Sequence, residues 1–124
     1  MARIRLYIFD MGGVVSVNND VISGIAAHLD LSPGGFYELA GEHTLLLMTG
    51  KVTSSRFWER ISGATGRAVR EDLFARYFRP ALDREVAGLV EELRKSDRVV
   101  AGTNTIETHY RIHRDLGHYD LFDA

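Results

Sequence analysis

Two kinds of apolar pattern alternate along this chain. Near the N-terminus, Ile4 to Phe9 forms a short run rich in β-formers, stopped by Asp10 and the pair Gly12-Gly13. A continuous apolar run bounded by glycine predicts a strand buried on both faces, as in a parallel sheet. A second such run, Arg98-Val99-Val100-Ala101, also ends in small and polar residues, Gly102-Thr103-Asn104. The apolar spacing changes to that of a helix just before it. Val86, Leu89, Val90 and Leu93 share one helical face, Asp83 is placed to cap the first turn, and Arg94-Lys95 falls where the helix dipole favours cations. After the second strand, Ile106, Tyr110, Ile112 and the region to Leu116 predict another helix, closed by Gly117.

From about Asn18 to Phe78 no strand-like alternation occurs. Ser32-Pro33 starts a helix with Phe36, Leu39 and Ala40 apolar and Gly41 near its end. Thr53 caps a second helix containing Phe57, Trp58 and Ile61, closed by Gly63 or Gly66, and Leu73, Phe74, Tyr77 and Phe78 mark a third. The expectation is an α/β core built from residues 1–16 and 80–124, with an all-helical insertion at 17–79. Length agrees, since 124 residues fit one domain with a modest insertion.

Composition narrows the class without naming a chemistry. An apolar fraction of 45% and a charged fraction of 26% are those of an ordinary globular protein. The formal net charge of −2 argues against a nucleic-acid partner, whose readers carry a basic face. No apolar run approaches the roughly 18 residues of a membrane span. The apolar stretch after Arg5 is shorter than the about 7–15 residues of a signal-peptide core. The absence of cysteine excludes disulfide and thiolate chemistry and fits an expected cytoplasmic location.

Ligands in open parallel sheets bind beyond the carboxyl ends of the strands. Both predicted strands end in suitable side chains. The first delivers Asp10, a carboxylate able to attack phosphorus or carbon or to hold Mg²⁺, followed by glycines that let backbone amides approach an oxyanion. The second delivers Thr103 and Asn104, whose hydroxyl and amides suit phosphate oxygens. Taken singly, each feature has a plainer reading. An Asp after a strand is usually a turn residue, a glycine pair a tight turn, and Thr103-Asn104 a helix N-cap. Their order raises the odds: strand, Asp, glycines, helical insertion, helix, then a strand ending in Thr-Asn.

Phe9-Asp10-Met11-Gly12-Gly13-Val14-Val15 resembles the first signature motif of the haloacid dehalogenase-like (HAD) superfamily, and Val99-Val100-Ala101-Gly102-Thr103-Asn104-Thr105 resembles its second. The insertion resembles the helical cap of one branch, with Phe57-Trp58-Glu59-Arg60 as a softer match. The resemblance covers essentially the whole chain and implies a Rossmann-like parallel sheet with a helical cap. It further implies a hydrolase of small phosphorylated metabolites in which Asp10 is the nucleophile. Asp10 and the Gly12 carbonyl would hold Mg²⁺. Met11, Gly12, Thr103 and Asn104 would bind the phosphoryl group, and the cap would exclude water.

Two departures from the family pattern bear on this. Phosphatase members usually carry a second Asp, the general acid, where this chain has Gly12. The family's lysine and acidic pair belong beyond a third strand, about where the sequence reaches Ala124. The chain is therefore expected to be the N-terminal part of a longer protein, with negligible turnover by itself. Alternatives are a dehalogenase-type hydrolase attacking carbon and a non-catalytic HAD-like binding module. A receiver-like α/β domain is disfavoured by the long insertion after the first strand. The remaining candidates are bland. His109 and His113, four apart, predict a surface or partly packed pair; His28, His43 and His118 carry no signal. Arg56, Arg60 and Arg76 read as solvated helix faces, and Trp58, Phe57 and Phe36 as cap core.

Overall fold

The structure, a computed structural model, describes residues 5–124. The part of the first predicted strand at Ile4 lies outside the described residues. The chain divides into two compact units, one of residues Met1–Asn19, Arg79–Asn104 and Arg111–Ala124, the other of Asp20–Phe78 and Thr105–Tyr110.

Unit 1 is built on a parallel pair of strands, β1 (Leu6–Phe9) and β4 (Arg98–Ala101), in register from Leu6 opposite Arg98 to Phe9 opposite Ala101. One face of this pair carries Val99 into a core with Met11, Val15, Val90 and Phe122, against which Tyr7, Phe9, Val86 and Leu93 pack. Val86, Val90 and Leu93 come from helix α5 (Arg84–Arg94), whose N-cap Asp83 accepts from the amides of Glu85 and Val86 as its sequence predicts. Leu89, expected on the buried face, is 51% exposed. The buried stripe of α5 is thus narrower than its apolar spacing suggests. The expected burial of β1 on both faces is also not met, since Ile8, on its other face, is 66% exposed. Ile8 lies over Gly102, where a Cβ would come within 2.7 Å of its Cγ2.

The second edge of β4 is occupied by the end of the chain. After helix α6 (Glu107–Asp115), Gly117 in the left-handed region (φ 76°) turns the chain into a 3-10 turn, His118–Leu121. The residues that follow run along β4: Asp123 N–H donates to the Val99 carbonyl at 2.7 Å, and Ala101 N–H to the Ala124 carbonyl at 2.9 Å. The Asp123 carboxylate accepts from Val99 N–H and from Arg94 Nε, both at 2.8 Å. Arg94 also donates to the carbonyls of Asp120 and Leu121. The arginine read as a complement to the helix dipole therefore also fastens this terminal segment.

A second small ribbon pairs β2 (Ser16–Val17) antiparallel with β3 (Ala81–Leu82). Strand β2 straddles the first border of what the sequence presents as an all-helical insertion, β3 lies just past the second, and two residues are too few to show an alternation. Asn18, at φ 59°, donates from its side chain to the Arg79 carbonyl at 2.7 Å. Asn19 exchanges hydrogen bonds with the buried Ser16. The outgoing and returning chains are thereby tied side by side.

Unit 2 contains four helices besides the start of α6: α1 (Ile22–His28), α2 (Pro33–Met48), α3 (Ser54–Thr65) and α4 (Leu73–Tyr77). Ser32 and Thr53 cap α2 and α3 as expected, and Gly66 closes α3 in the left-handed region. One expectation fails, and one helix is unforeseen. Helix α2 runs past Gly41 to Met48, because Leu46 and Leu47 continue its packing beyond one poor helix former. Helix α1, unmarked in the sequence, is opened by the Asp20 carboxylate, which accepts from the N–H and hydroxyl of Ser23, and a Cβ on its Gly24 would lie 2.6 Å from the Tyr77 ring. Phe36, Phe57 and Trp58 are buried as predicted. Around them, Asp72 caps α4 through Phe74 N–H and also accepts from Trp58 Nε1 at 2.9 Å and from the Thr108 hydroxyl. The carboxylate thus ties three segments of this unit. The Arg56 and Arg76 side chains pair with Glu59 and Glu71 on the surface.

Two measurements test this packing. Phe57→Ala removes a fully buried ring that contacts Trp58 and Phe74, and should destabilise the fold by about 3–5 kcal/mol in urea unfolding. The Val99 amide, then Arg94, hold the Asp123 carboxyl below its ordinary value. Its contribution is therefore complete above the ordinary carboxylate range and is lost as pH falls through the depressed value. Asp123→Asn should make unfolding stability less pH-dependent below pH ~4. An unchanged acid limb would show that the carboxylate contributes nothing.

Candidate active site

The carboxyl ends of β1 and β4 lie together. Gly102 N–H donates to the Phe9 carbonyl at 2.8 Å, and the register continued by one residue sets Asp10 level with Gly102. Thr103 and Asn104 follow directly in the loop between β4 and α6. Helix α6 begins only at Glu107, so neither residue occupies its N-cap, and the plain capping reading fails. Asp10, Met11, Gly12, Thr103 and Asn104 all belong to unit 1 and gather at this end of its parallel strands.

The loop after Asp10 is tightly specified. Met11 N–H donates to Asp10 Oδ1 at 2.7 Å, while the Met11 side chain is buried in the core. The loop is thus anchored beneath, and one carboxylate oxygen is held in place. Ser16 N–H donates to the Met11 carbonyl at 2.8 Å, and Gly13 N–H to the Ser16 carbonyl at 2.9 Å. This bridge closes the loop without using the N–H or C=O of Gly12. Gly13 needs its glycine, at φ 79°. Gly12 does not: its φ is not positive, and a Cβ built there would meet nothing within 4 Å. The resemblance assigns the Met11 amide to substrate, whereas here it serves Asp10. On the β4 side, the Thr103 hydroxyl makes only a long 3.4 Å contact with the Asn104 carbonyl.

Asp10 is exposed, as are Gly12 and Asn104, and Thr103 is partly so. Among the described residues no group of three His, Asp or Glu side chains could enclose a metal. The donors at Asp10 are one carboxylate, with Oδ1 partly engaged, and nearby backbone carbonyls. Hard oxygens of this kind suit Mg²⁺, which keeps several waters and needs only one or two protein carboxylates. The fit is that of a weak, water-rich site rather than a closed cage.

Elsewhere in unit 1, two residues depart from what their spacing predicts. His113, expected near the surface, is 4% exposed, and His118, which carried no signal, is 9% exposed with its Nδ1 2.9 Å from that of His113. The pair is five residues apart across the Gly117 reversal, a spacing that no helical face brings together. In unit 2, His109 stacks on Phe78 at 3.9 Å between ring centroids. No described helix is long and apolar enough to cross a membrane.

No family model and no curated protein sequence matches this chain. Solved structures do. The HAD family enzyme bt-2542 from Bacteroides thetaiotaomicron superposes with a TM-score of 0.67 at 20% identity, over 96% of this chain and 65% of its own. The wild-type form of that enzyme, in complex with magnesium and inorganic phosphate, superposes at 0.64 with 18% identity, over 98% of this chain and 67% of its own. A predicted HAD-like family hydrolase from Porphyromonas gingivalis gives 0.66 at 19% identity, over 98% of this chain and 65% of its own. The chain thus spans about two thirds of the length of the structures it resembles. At this level of identity the likeness is one of fold, and the fold is that of the HAD family hydrolases.

Proposed function

We propose that this chain carries the nucleophile end of a Mg²⁺-dependent hydrolase of small phosphorylated metabolites. The observation that supports it most is the register of β1 and β4, which sets the exposed Asp10 carboxylate level with the Gly102-Thr103-Asn104 loop. The similar structure from Bacteroides thetaiotaomicron was solved with magnesium and inorganic phosphate, and that chemistry suits the donors here.

In this reading an Asp10 oxygen attacks phosphorus, a P–O bond forms to the carboxylate, and the P–O bond to the leaving group breaks. The Gly12 amide and the Thr103-Asn104 loop hold the phosphoryl oxygens. Met11 N–H keeps the carboxylate oriented through its bond to Oδ1. Water then hydrolyses the acyl phosphate, releasing phosphate and restoring Asp10. Mg²⁺, held by Asp10 and the Gly12 carbonyl, would neutralise charge on the transferring group. Gly12 offers no proton to the leaving oxygen, so water supplies it, and the enzyme is expected to favour leaving groups that need little protonation. A helical cap formed by unit 2 would exclude bulk water and choose the substrate.

Two experiments test this reading. In the full-length protein, Mg²⁺ with beryllofluoride, a phosphoryl mimic, should shift the NMR amide signals of Met11, Gly12, Thr103 and Asn104, and Asp10→Asn should abolish the shifts. Shifts that persist in Asp10→Asn, or none in the unsubstituted full-length protein, would remove Asp10 as the nucleophile. Gly12→Asp fits the open space around that residue and introduces a general acid. In the full-length hydrolase it should raise the rate on an alkyl phosphate relative to p-nitrophenyl phosphate, up to the ~10²–10⁴-fold typical of such a group. An unchanged ratio would mean that the proton comes from elsewhere.

A further inference from the structure

Two histidines with no part in the proposed chemistry meet in the interior of unit 1. His113 comes from α6, and His118 opens the 3-10 turn. Their Nδ1 atoms are 2.9 Å apart, and both residues are buried. A hydrogen bond between two Nδ1 atoms requires one to carry hydrogen and the other to lack it. Two neutral rings of opposite tautomer meet this condition, and so does a pair holding one extra proton. With two extra protons, every ring nitrogen carries hydrogen, and two like charges face each other in a desolvated place. That state cannot keep this geometry.

The turn that begins at His118 leads directly into Phe122, a core residue, and into the Asp123–Ala124 segment bonded along β4. We propose that the His113–His118 pair is an acid-operated catch that fastens residues 118–124 to the rest of unit 1, holding while it carries at most one extra proton and releasing when it carries two.

The surroundings set the direction of the effect. Burial, then the neighbouring His118, pushes His113 from the ordinary 6.5 down to about 4, and burial also lowers His118. On the α5 side, Arg84 and Glu91 line with His118 a groove of about 630 Å³. From the turn come Tyr119, whose ring lies 5.7 Å from that of His113, and Asp120. On α6 itself, Arg114 pairs with Asp115. Because both imidazoles titrate lower in the fold than in the unfolded chain, the fold binds fewer protons. The catch therefore contributes fully above about pH 6.5 and weakens as pH falls toward the depressed values. Asp123 acts in a separate window, since its own contribution fails only below the ordinary 3.8.

Native-state hydrogen exchange between pH 7.5 and 4.5, corrected for intrinsic rates, tests the catch together with NMR titration of the imidazole signals. The amides of Ala101 and Asp123 should lose protection by at least about tenfold, while the Phe57 amide in unit 2 does not. His118→Phe should flatten that dependence, and Asp123→Asn should leave it in place. Three results would each overturn the proposal: unchanged protection of the two amides, a pH dependence that survives His118→Phe, or imidazoles titrating independently near 6.5. The last is read in the unmodified chain, so it decides the matter even where the substituted protein fails to fold.

Discussion

Everything in unit 1 depends on the parallel register of β1 against β4. A shift of one residue would turn Val99 out of the core, move Asp10 away from the Gly102-Thr103-Asn104 loop, and set Gly102 off from Ile8. Parallel strands cannot fix this register with a hairpin, because their connection must cross over the sheet. Here the register is held from the side. Helix α5 packs Val86, Val90 and Leu93 against one face, and Met11 adds its side chain to the same core immediately after the strand. One packed layer thus aligns the strands and anchors the loop that presents the carboxylate.

Local signals in the sequence captured much of this arrangement. Asp83, Ser32 and Thr53 cap helices through hydrogen bonds within three residues, so their role is written in adjacent letters. The β1 run and Asp10 are legible for the same reason: a short apolar stretch and a sharp change to glycine. Features set by distant contacts were not legible. Helix α1 went unmarked, and its Gly24 is accounted for only by the Tyr77 ring against it. Gly41 reads as a stop, yet α2 continues because of what its later leucines bury. His118 carries no signal because its partner lies beyond a reversal at Gly117, where spacing says nothing about proximity.

The candidate site divides in the same way. Asp10 and the Thr103-Asn104 loop are marked by their positions at strand ends, and Gly12 by its departure from the motif it resembles. The use of the Met11 amide could not be foreseen, since it depends on the carboxylate rotating back onto its own chain. Likewise Asp123 is unremarkable as a letter near the C-terminus. Only β4's second edge, with Val99 offering both N–H and C=O, makes it a clamp. The half-buried carboxylate of Asp72 is a similar case, in which one side chain satisfies donors from three segments whose proximity is tertiary.

The two-residue ribbon of β2 and β3 has a further consequence. It clasps the outgoing chain at Ser16–Val17 to the returning chain at Ala81–Leu82, so the two ends of the segment between Asn19 and Arg79 are held together. The entropy cost of closing a flexible loop rises slowly, by only about 0.6 kcal/mol for each doubling of its length. With its ends clasped, the intervening segment can change in length at little cost. The length of that segment is therefore a small term in the stability of the β1–β4 register, whereas its helices remain tied to α6 through Thr108 and His109.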